Sequence, residues 1–291
     1  MENSTNWREK LAHSLFEKVK DIDSIAAFFI GGSVALDVVD DFSDLELCIV
    51  WNENSTDKHV TMIRQIWDIK SIHLKKTTLD NNTIQIEDSV RLQDFPIDIF
   101  HTSIQYIETI FRKVFVEFDT NFQHSNFLFV IQHAKVLKGD LLLQKWKNQL
   151  TVYPQQLAIK SIEKRIEPFF GADGMLMAKR KNWILFYNLM TAYQKLIFLA
   201  LLSVNEMYFP TYKRIIYSLT KMELKPRGII EFYEEFQQMK PEEAWQELTR
   251  IKQETIVIIN QKHPEIKTKH LLEKEKFNRK QFTNNIFESN T

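Results

Sequence analysis

This chain of 291 residues is poor in the side chains that form covalent cross-links, because Cys48 is its one cysteine. A single cysteine excludes an internal disulfide and a cluster of thiolate metal ligands, and it fits the reducing cytoplasm. Charge of one sign is lacking too, since 38 Lys and Arg balance 38 Asp and Glu. A chain without net charge has no long-range attraction for nucleic acid or for an anionic membrane, so neither partner is expected.

Long hydrophobic runs are also absent. The run from Leu196 to Leu202 is too short to cross a bilayer, and the polar start, MENSTNWREK, has no apolar signal core. We therefore expect a soluble, cytoplasmic protein. The hydrophobic fraction of 44% and the charged fraction of 26% are ordinary for a globular protein, and 291 residues favour two domains.

The pattern of hydrophobic residues changes near Gly139. Before it, short runs rich in β-branched and aromatic residues predict strands over 25–30, 45–51, 83–92 and 97–100. After it, apolar spacings of three and four predict helices over 141–150, 157–170, 176–204, 212–219, 229–236 and 244–259. The sequence thus predicts a domain of strands and helices over 1–139 and an all-helical domain over 140–291, with a weak, polar pattern at 273–291.

Glycine is scarce, with six in the chain, yet Gly31 and Gly32 stand together and Ser33 follows them where the first predicted strand ends. Glycine permits a tight turn at such a point. A turn from a strand into a helix exposes backbone amides that bind phosphate, and a serine hydroxyl adds one more donor. A GGS sequence is weak evidence by itself, because most such turns are only turns.

Three acids stand in apolar strand patterns. Asp44 and Glu46 are two residues apart, so their side chains share one face of a strand, and Asp98 lies in FPIDIFH, with His101 on the opposite face. A solvated strand face is the simplest interpretation of any one of them. Neighbouring carboxylates repel unless a cation lies between them, and Mg²⁺ is held by one or two carboxylates plus substrate phosphates. If the strands are neighbours, the three acids converge.

The combination of motifs resembles the polymerase-beta-like nucleotidyltransferase superfamily. GGS is followed ten residues later by Asp44, Leu45 and Glu46 in an apolar strand, and Asp98 follows in a later strand. Glutamate as the second acid, in SDLELCIVW, is similar to the kanamycin nucleotidyltransferase type, and LLSVNEMYFPTYKRI at 201–215 is similar to the helical domain of bacterial relatives of aminoglycoside and lincosamide adenylyltransferases. The resemblance implies an α+β fold, with a mixed β-sheet and helices in a catalytic domain over 1–139 and a helical substrate-binding domain over 140–291.

The resemblance also implies an activity. Such an enzyme transfers a nucleoside monophosphate, typically AMP, from a Mg²⁺-bound nucleoside triphosphate to a hydroxyl of a small acceptor, an aminoglycoside or a lincosamide-like compound, and it releases pyrophosphate. By this resemblance Asp44, Glu46 and Asp98 are the metal-binding and catalytic residues, with Asp98 as a metal ligand or as the base. The same resemblance assigns the nucleotide phosphates to a second set of residues, which are Gly31, Gly32, Ser33 and Lys213.

Several alternatives stay open at this stage. Lys213 is equally well explained as an exposed helix cation. Three acids before the long helix could supply a base from the second domain, but helix-surface charge explains them better, namely Glu163, Glu167 and Asp173. Four aromatics at helical spacing could line an acceptor pocket, but core packing explains them better, namely Trp183, Tyr187, Tyr193 and Tyr208. Two other functions compete with small-molecule transfer: a regulatory nucleotidyltransferase that modifies protein, and a catalytically silent nucleotide-binding module. The histidines show no zinc-ligand spacing.

Overall fold

The fold consists of a sheet-containing unit and a helical unit. A computed structural model describes residues 4–80, 83–169, 173–269 and 271. The chain divides into two compact units, Met1–Pro154 and Gln155–Thr291. The first contains six strands, whereas the described part of the second contains helices and no strand. The expected α+β class is therefore confirmed, and the tail at 273–291 lies outside the described residues.

The first unit contains six strands and six helices within its described residues. The strands are β1 Ile25–Ile30, β2 Leu45–Trp51, β3 Lys70–Thr78, β4 Ile84–Leu92, β5 Phe95–Ser103 and β6 Lys135–Lys138. The helices are α1 Ser4–Glu17, α2 Gly32–Ala35, α3 Asp57–Trp67, α4 Ile104–Phe115, α5 Phe122–His133 and α6 Asp140–Gln149.

The sheet is mixed, with the strand order β3-β4-β5-β2-β1-β6. The central pair, β2 and β5, is parallel, and every other neighbouring pair is antiparallel. Side chains alternate between the two faces of a strand. One face, which carries Ile97 and Ile99, packs on α1 and α3 through a core that includes Leu15 and Trp67. The other face carries Glu46 and Asp98 and is called the acid face below.

The unit boundary lies after Pro154 rather than after Gly139, because α6 packs on the sheet. Gly139 has a φ of +86°, and a Cβ there would lie 2.6 Å from the carbonyl oxygen of Ala26 in β1. Trp146 Nε1 donates to Glu108 Oε1 of α4 at 3.0 Å. The glycine that marks a change of pattern in the sequence is thus a close packing point, and α6 belongs to the first unit.

The second unit is built around one long helix. Its helices are α7 Gln155–Ile166, α8 Gly174–Lys179, α9 Trp183–Val204, α10 Ile215–Lys221, α11 Ile229–Glu235 and α12 Pro241–Lys262. The single helix predicted over 176–204 is interrupted: Lys181 has a φ of +55°, and Asn182 Oδ1 accepts from the Leu185 amide to begin α9. Asparagine as an N-cap explains the restart.

The α9 helix is also long and apolar enough, by length and composition, to cross a membrane, and it is the only such helix in the described ranges. Half of its most apolar stretch is buried in the unit. Phe198 and Leu201, for example, lie in one core cluster with Leu248 and Ile251 of α12. Because the core helix of a globular unit meets the same criteria, this composition is weak evidence for a membrane span.

Candidate active site

Two of the expected acids are direct neighbours on the acid face. In the parallel pairing of β2 with β5, Glu46 is the register partner of Asp98. Neighbouring strands are about 4.8 Å apart, so two carboxylates on one face of adjacent strands start from adjacent backbone positions. Asp44 lies one residue before β2 begins. His101 pairs with Ile49 and lies on the opposite face, as its position in the strand predicts.

The Gly31-Gly32 turn contacts one member of this acid pair, Glu46. The Gly31 amide donates to the Glu46 carbonyl oxygen at 2.9 Å, which extends the β1/β2 pairing by one bond. Gly32 has a φ of +59°, and a Cβ there would lie 2.5 to 2.8 Å from the carboxylate atoms of Glu46. Both the left-handed backbone and the close approach require glycine. The turn therefore brings backbone directly against the Glu46 carboxylate.

Ser33 has an unusual environment at the same turn. The residue is 5% exposed, and its Oγ has no hydrogen-bond partner within the part of the chain that the structure describes. A buried hydroxyl without a partner costs about 1 to 3 kcal/mol. A bound group that accepts a hydrogen bond, such as a phosphate oxygen, would remove that cost. This is an independent structural reason to place a phosphate near Ser33.

A built turn leads into Asp44. Asp40, Asp41, Phe42 and Ser43 form it: the Ser43 amide bonds the Asp40 carbonyl oxygen at 3.2 Å, and the Ser43 hydroxyl donates to Asp40 Oδ1 at 2.8 Å. Arg8 of α1 is 3% exposed and binds the backbone of this turn. Its Nε and Nη2 donate to the Ser43 carbonyl oxygen at 3.0 and 2.8 Å. The backbone just before Asp44 is thus anchored to α1.

Asp98 has a partner that the sequence did not indicate. Ser89 on β4 is its register partner on the other side of β5, and Ser89 Oγ donates to Asp98 Oδ1 at 2.6 Å. Ser89 and Arg8 are the two residues near the site that sequence reasoning missed. Alternation within the β4 sequence IEDSVRL indicates which face of the strand Ser89 occupies. The partner of Ser89 depends on the strand register, which the sequence does not show.

Cys48 shares the acid face but has no place in the chemistry. It follows Glu46 by two residues, and it is buried. Burial raises the pKa of its thiol far above the ordinary value. A thiol that stays protonated is neither a nucleophile nor a metal ligand.

The three acids do not form a preorganised metal site. Within the described ranges, no group of three or more His, Cys, Asp and Glu side chains is arranged to hold a metal ion. Asp44, Glu46 and Asp98 as a three-ligand set therefore stays a prediction. What the structure provides is the neighbouring pair Glu46 and Asp98, with the Gly31-Gly32 turn against Glu46. That pair fits Mg²⁺, which is commonly held by one or two carboxylates together with substrate phosphates.

The remaining candidates lie in the helical unit. Lys213 is exposed in a 3-10 turn, Tyr212–Arg214. Asp173, considered as a second-domain base, instead caps α8 by accepting from the Leu176 amide at 3.0 Å. Two of the four aromatic candidates are core, since Tyr193 and Tyr208 are buried. The other two, Trp183 and Tyr187, are exposed at the start of α9 together with Ile184 and Leu185.

The opposite face of the sheet carries a second polar cluster. Asp88 of β4 has no exposed surface, and it accepts from Arg64 Nε at 2.8 Å and from Arg64 Nη2 at 2.7 Å. His101 is equally buried, and neither ring nitrogen has a hydrogen-bond partner in the described part of the chain. Burial lowers the pKa of His101 to about 3. Its ring lies parallel to that of Trp51, with centroids 6.0 Å apart.

Comparison with known proteins gives distant structural neighbours. No family model and no curated protein matches this chain. The crystal structure of a nucleotidyltransferase-like protein from Exiguobacterium sibiricum is similar at 11% identity, over 95% of this chain and 82% of its own, with a TM-score of 0.37. The Cid1 poly(U) polymerase and the non-canonical poly(A) polymerase complex GLD-2–GLD-3 are each similar at 12% identity over 45% of this chain, covering 41% and 45% of theirs, with TM-scores of 0.26.

Proposed function

We propose that this chain is a Mg²⁺-dependent nucleotidyltransferase that moves a nucleoside monophosphate, AMP in the first instance, from a nucleoside triphosphate to a hydroxyl group. One observation carries the proposal: the pair Glu46 and Asp98 lies beside a glycine turn whose next residue, Ser33, has a buried hydroxyl without a partner. Carboxylates and an unfilled donor at one place suit a ligand that brings both metal and phosphate. The distant structural neighbours add no weight, since their TM-scores are too low to define a shared fold.

Different residues would bind the phosphates and the metal ion of the nucleotide. Gly31, Gly32 and Ser33 would bind the terminal phosphates through backbone amides and the Ser33 hydroxyl. Asp44 and Glu46, with or without Asp98, would hold Mg²⁺. A bound Mg²⁺ supplies charge neutralisation on the triphosphate and on the leaving pyrophosphate. The anchored turn before Asp44 would keep its carboxylate in place without reorganisation, which is the condition for electrostatic stabilisation.

Asp98 is assigned the acceptor proton. The acceptor oxygen forms a bond to the α-phosphorus while the bond from that phosphorus to the bridging oxygen of the β-phosphate breaks. The leaving pyrophosphate takes the electron pair, and the proton of the acceptor hydroxyl passes to the Asp98 carboxylate. A positioned general base contributes about 100-fold to 10,000-fold in rate.

The acceptor is proposed to be a small molecule with a free hydroxyl, bound by side chains of the helical unit Gln155–Thr291. Aminoglycosides and lincosamide-like compounds are the first to test, and Lys213 is proposed as a phosphate contact. A protein hydroxyl is the second candidate acceptor. Pyrophosphate release in the presence of ATP, Mg²⁺ and each acceptor pool would distinguish these acceptors. Slow hydrolysis of ATP to AMP, with water as acceptor, measures the same chemistry when no acceptor is known.

Calorimetry tests the nucleotide site before any acceptor is identified. We expect ATP to bind with Mg²⁺ present and to bind about tenfold or more weakly to Asp44→Ala, because a metal-holding carboxylate is lost. Asp41→Ala is the matched control, since this exposed acid lies in the same turn. Equal Mg²⁺-ATP affinity in the parent and in a folded Asp44→Ala variant would contradict the metal assignment. No pyrophosphate release with any acceptor, water included, would contradict the enzyme.

A further inference from the structure

Ser89 and Asp98 form a pair that is built into the sheet. They are register partners in the antiparallel β4/β5 ladder, and both are partly buried. The distance from Ser89 Oγ to Asp98 Oδ1 is 2.6 Å, which is within the range of a hydroxyl that donates to an ionised carboxylate. Hydrogen bonds of that kind are about twice as strong as bonds between neutral groups. The pair is therefore a strong local constraint on Asp98.

The hydrogen bond fixes the one part of Asp98 that the backbone leaves free. Its strand, β5, lies between β4 and β2, so the Asp98 backbone is held from both sides. The terminal torsion of an aspartate is broad, because rotation of the carboxylate meets little resistance. Ser89 removes that freedom by binding Oδ1. No other described residue contacts the carboxylate through a hydrogen bond or an ion pair, so Oδ2 has no such partner in the part of the chain that the structure describes.

We propose that Ser89 is a positioning residue for the transfer reaction: its hydroxyl holds Oδ1 of Asp98, and this leaves Oδ2 as the oxygen that accepts the proton of the acceptor hydroxyl. The inference rests on the function proposed above and deepens it by assigning the two oxygens of Asp98 different roles. Ser89 itself contacts neither the nucleotide nor the acceptor. Its contribution is made through Asp98 alone.

The effect on the reaction follows from the geometry. In Ser89→Ala, Asp98 keeps its charge and its place in the strand, but its carboxylate rotates among several orientations. Binding of Mg²⁺-ATP should change less than twofold, because Ser89 is not part of the turn formed by Gly31, Gly32 and Ser33. The kcat should fall by about tenfold, which is the usual scale for a lost hydrogen bond to a charged group. KM should stay nearly constant.

The test is a double-mutant cycle on turnover. Pyrophosphate release is measured for the parent, Ser89→Ala, Asp98→Asn and the double variant, with water as acceptor if no better one is known. If Ser89 acts through Asp98, Ser89→Ala costs about tenfold in the parent and nothing further in Asp98→Asn. Ser89→Thr keeps the hydroxyl and a strand-compatible side chain, so it should restore kcat to within about threefold of the parent.

Other outcomes overturn the inference. If Ser89→Ala turns over as fast as the parent, Ser89 has no role in the reaction. If Ser89→Ala loses equally in the presence and absence of the Asp98 carboxylate, Ser89 does not act through Asp98. In both cases the proposed function stands. A failure of Ser89→Thr to recover activity, when urea unfolding shows it to be folded, has the same meaning. If the parent protein releases no pyrophosphate from ATP with any acceptor, the proposed function fails and the role of Ser89 fails with it.

Discussion

The two faces of the sheet hold their acids in different ways. On the face toward α1 and α3, Asp88 is fully buried, and both of its oxygens accept from the guanidinium of Arg64. On the acid face, Asp98 is partly buried and accepts from the neutral hydroxyl of Ser89. A buried carboxylate needs a cation or a full set of donors. Asp88 has that cation within the protein, whereas Asp98 has none within the described residues, so a cation for Asp98 would have to come with a ligand.

The largest expected effect separates these two acids by the same isosteric change. Asp98→Asn should reduce transfer by about 100-fold or more through loss of the proton acceptor, with little change in the free energy of unfolding. Asp88→Asn should lower the free energy of unfolding by about 3 kcal/mol, because a buried ion pair is broken, and should leave transfer per folded molecule nearly unchanged. Pyrophosphate release and urea unfolding measure the two quantities. If Asp98→Asn lowers the free energy of unfolding as much as Asp88→Asn does, the proposed difference between the two acids is wrong.

A smaller effect concerns pH and the face that holds Asp88. His101 has a pKa of about 3 in the folded protein, because burial opposes its charge, and Arg64 and His59 also oppose it while Asp88 favours it. An unfolded histidine takes up a proton below about pH 6.5, so the unfolded state binds more protons between these values. Stability should therefore be lost as pH falls below about 6.5, by about 1.4 kcal/mol per pH unit.

The variant His101→Leu should remove most of this acid sensitivity. Neither ring nitrogen has a hydrogen-bond partner in the described chain, so an apolar replacement leaves no donor or acceptor of His101 to satisfy. Urea unfolding at several pH values between 4 and 7 gives the slope. His13→Leu, at an exposed histidine of α1, is the control. An unchanged slope in His101→Leu would assign the acid sensitivity to other groups.

The smallest expected effect tests the support beneath Asp44. Arg8→Lys keeps the charge but loses the forked donor that binds the Ser43 carbonyl oxygen twice. We expect a loss of about 1 kcal/mol in the free energy of unfolding and a few-fold weaker affinity for Mg²⁺-ATP. Phe42→Ser, in the same turn, is the control, because this ring is 95% exposed and its loss should change stability by less than about 0.5 kcal/mol. Unchanged nucleotide affinity in Arg8→Lys would show that the Arg8 contact with the turn does not support nucleotide binding.

The central strands could be predicted from the sequence, whereas the edge strands could not. The predicted bounds of β1 and β2 match the structure residue for residue, because β1 is a continuous apolar run, β2 is apolar except for Glu46, and both strands are largely buried on two faces. The strands β3 and β6 were missed. Both are edges of the sheet, and lysines such as Lys75 and Lys135 occupy them. Charge on an edge prevents pairing with other chains, and it also hides the strand pattern.

The candidate site was predictable where it depends on spacing and not where it depends on pairing. Glu46 and Asp98 share a face because alternation within each strand fixes it, and the β2/β5 pairing makes them partners. The bond from Ser89 to Asp98 depends on the β4/β5 register, which follows from a two-residue turn at Gln93 and Asp94, both with positive φ. The pair Gln93-Asp94 differs from Asn-Gly, the pair that most clearly signals such a turn in a sequence. Arg8 is 35 residues from Ser43, so only the fold brings them together.

The close approach of Gly32 to Glu46 has a consequence for how this region can evolve. A Cβ at position 32 would overlap the carboxylate of Glu46, and the left-handed backbone at this position disfavours any residue other than glycine. Only the first of these two obstacles depends on another residue. In a genetic selection for function, Gly32→Ala should therefore gain only partial suppressors at position 46, since a shorter side chain there relieves the overlap but not the backbone. Among the shorter side chains, only aspartate would keep a carboxylate beside Asp98. Substitution of Gly32 is therefore restricted both by its own backbone conformation and by the side chain at position 46.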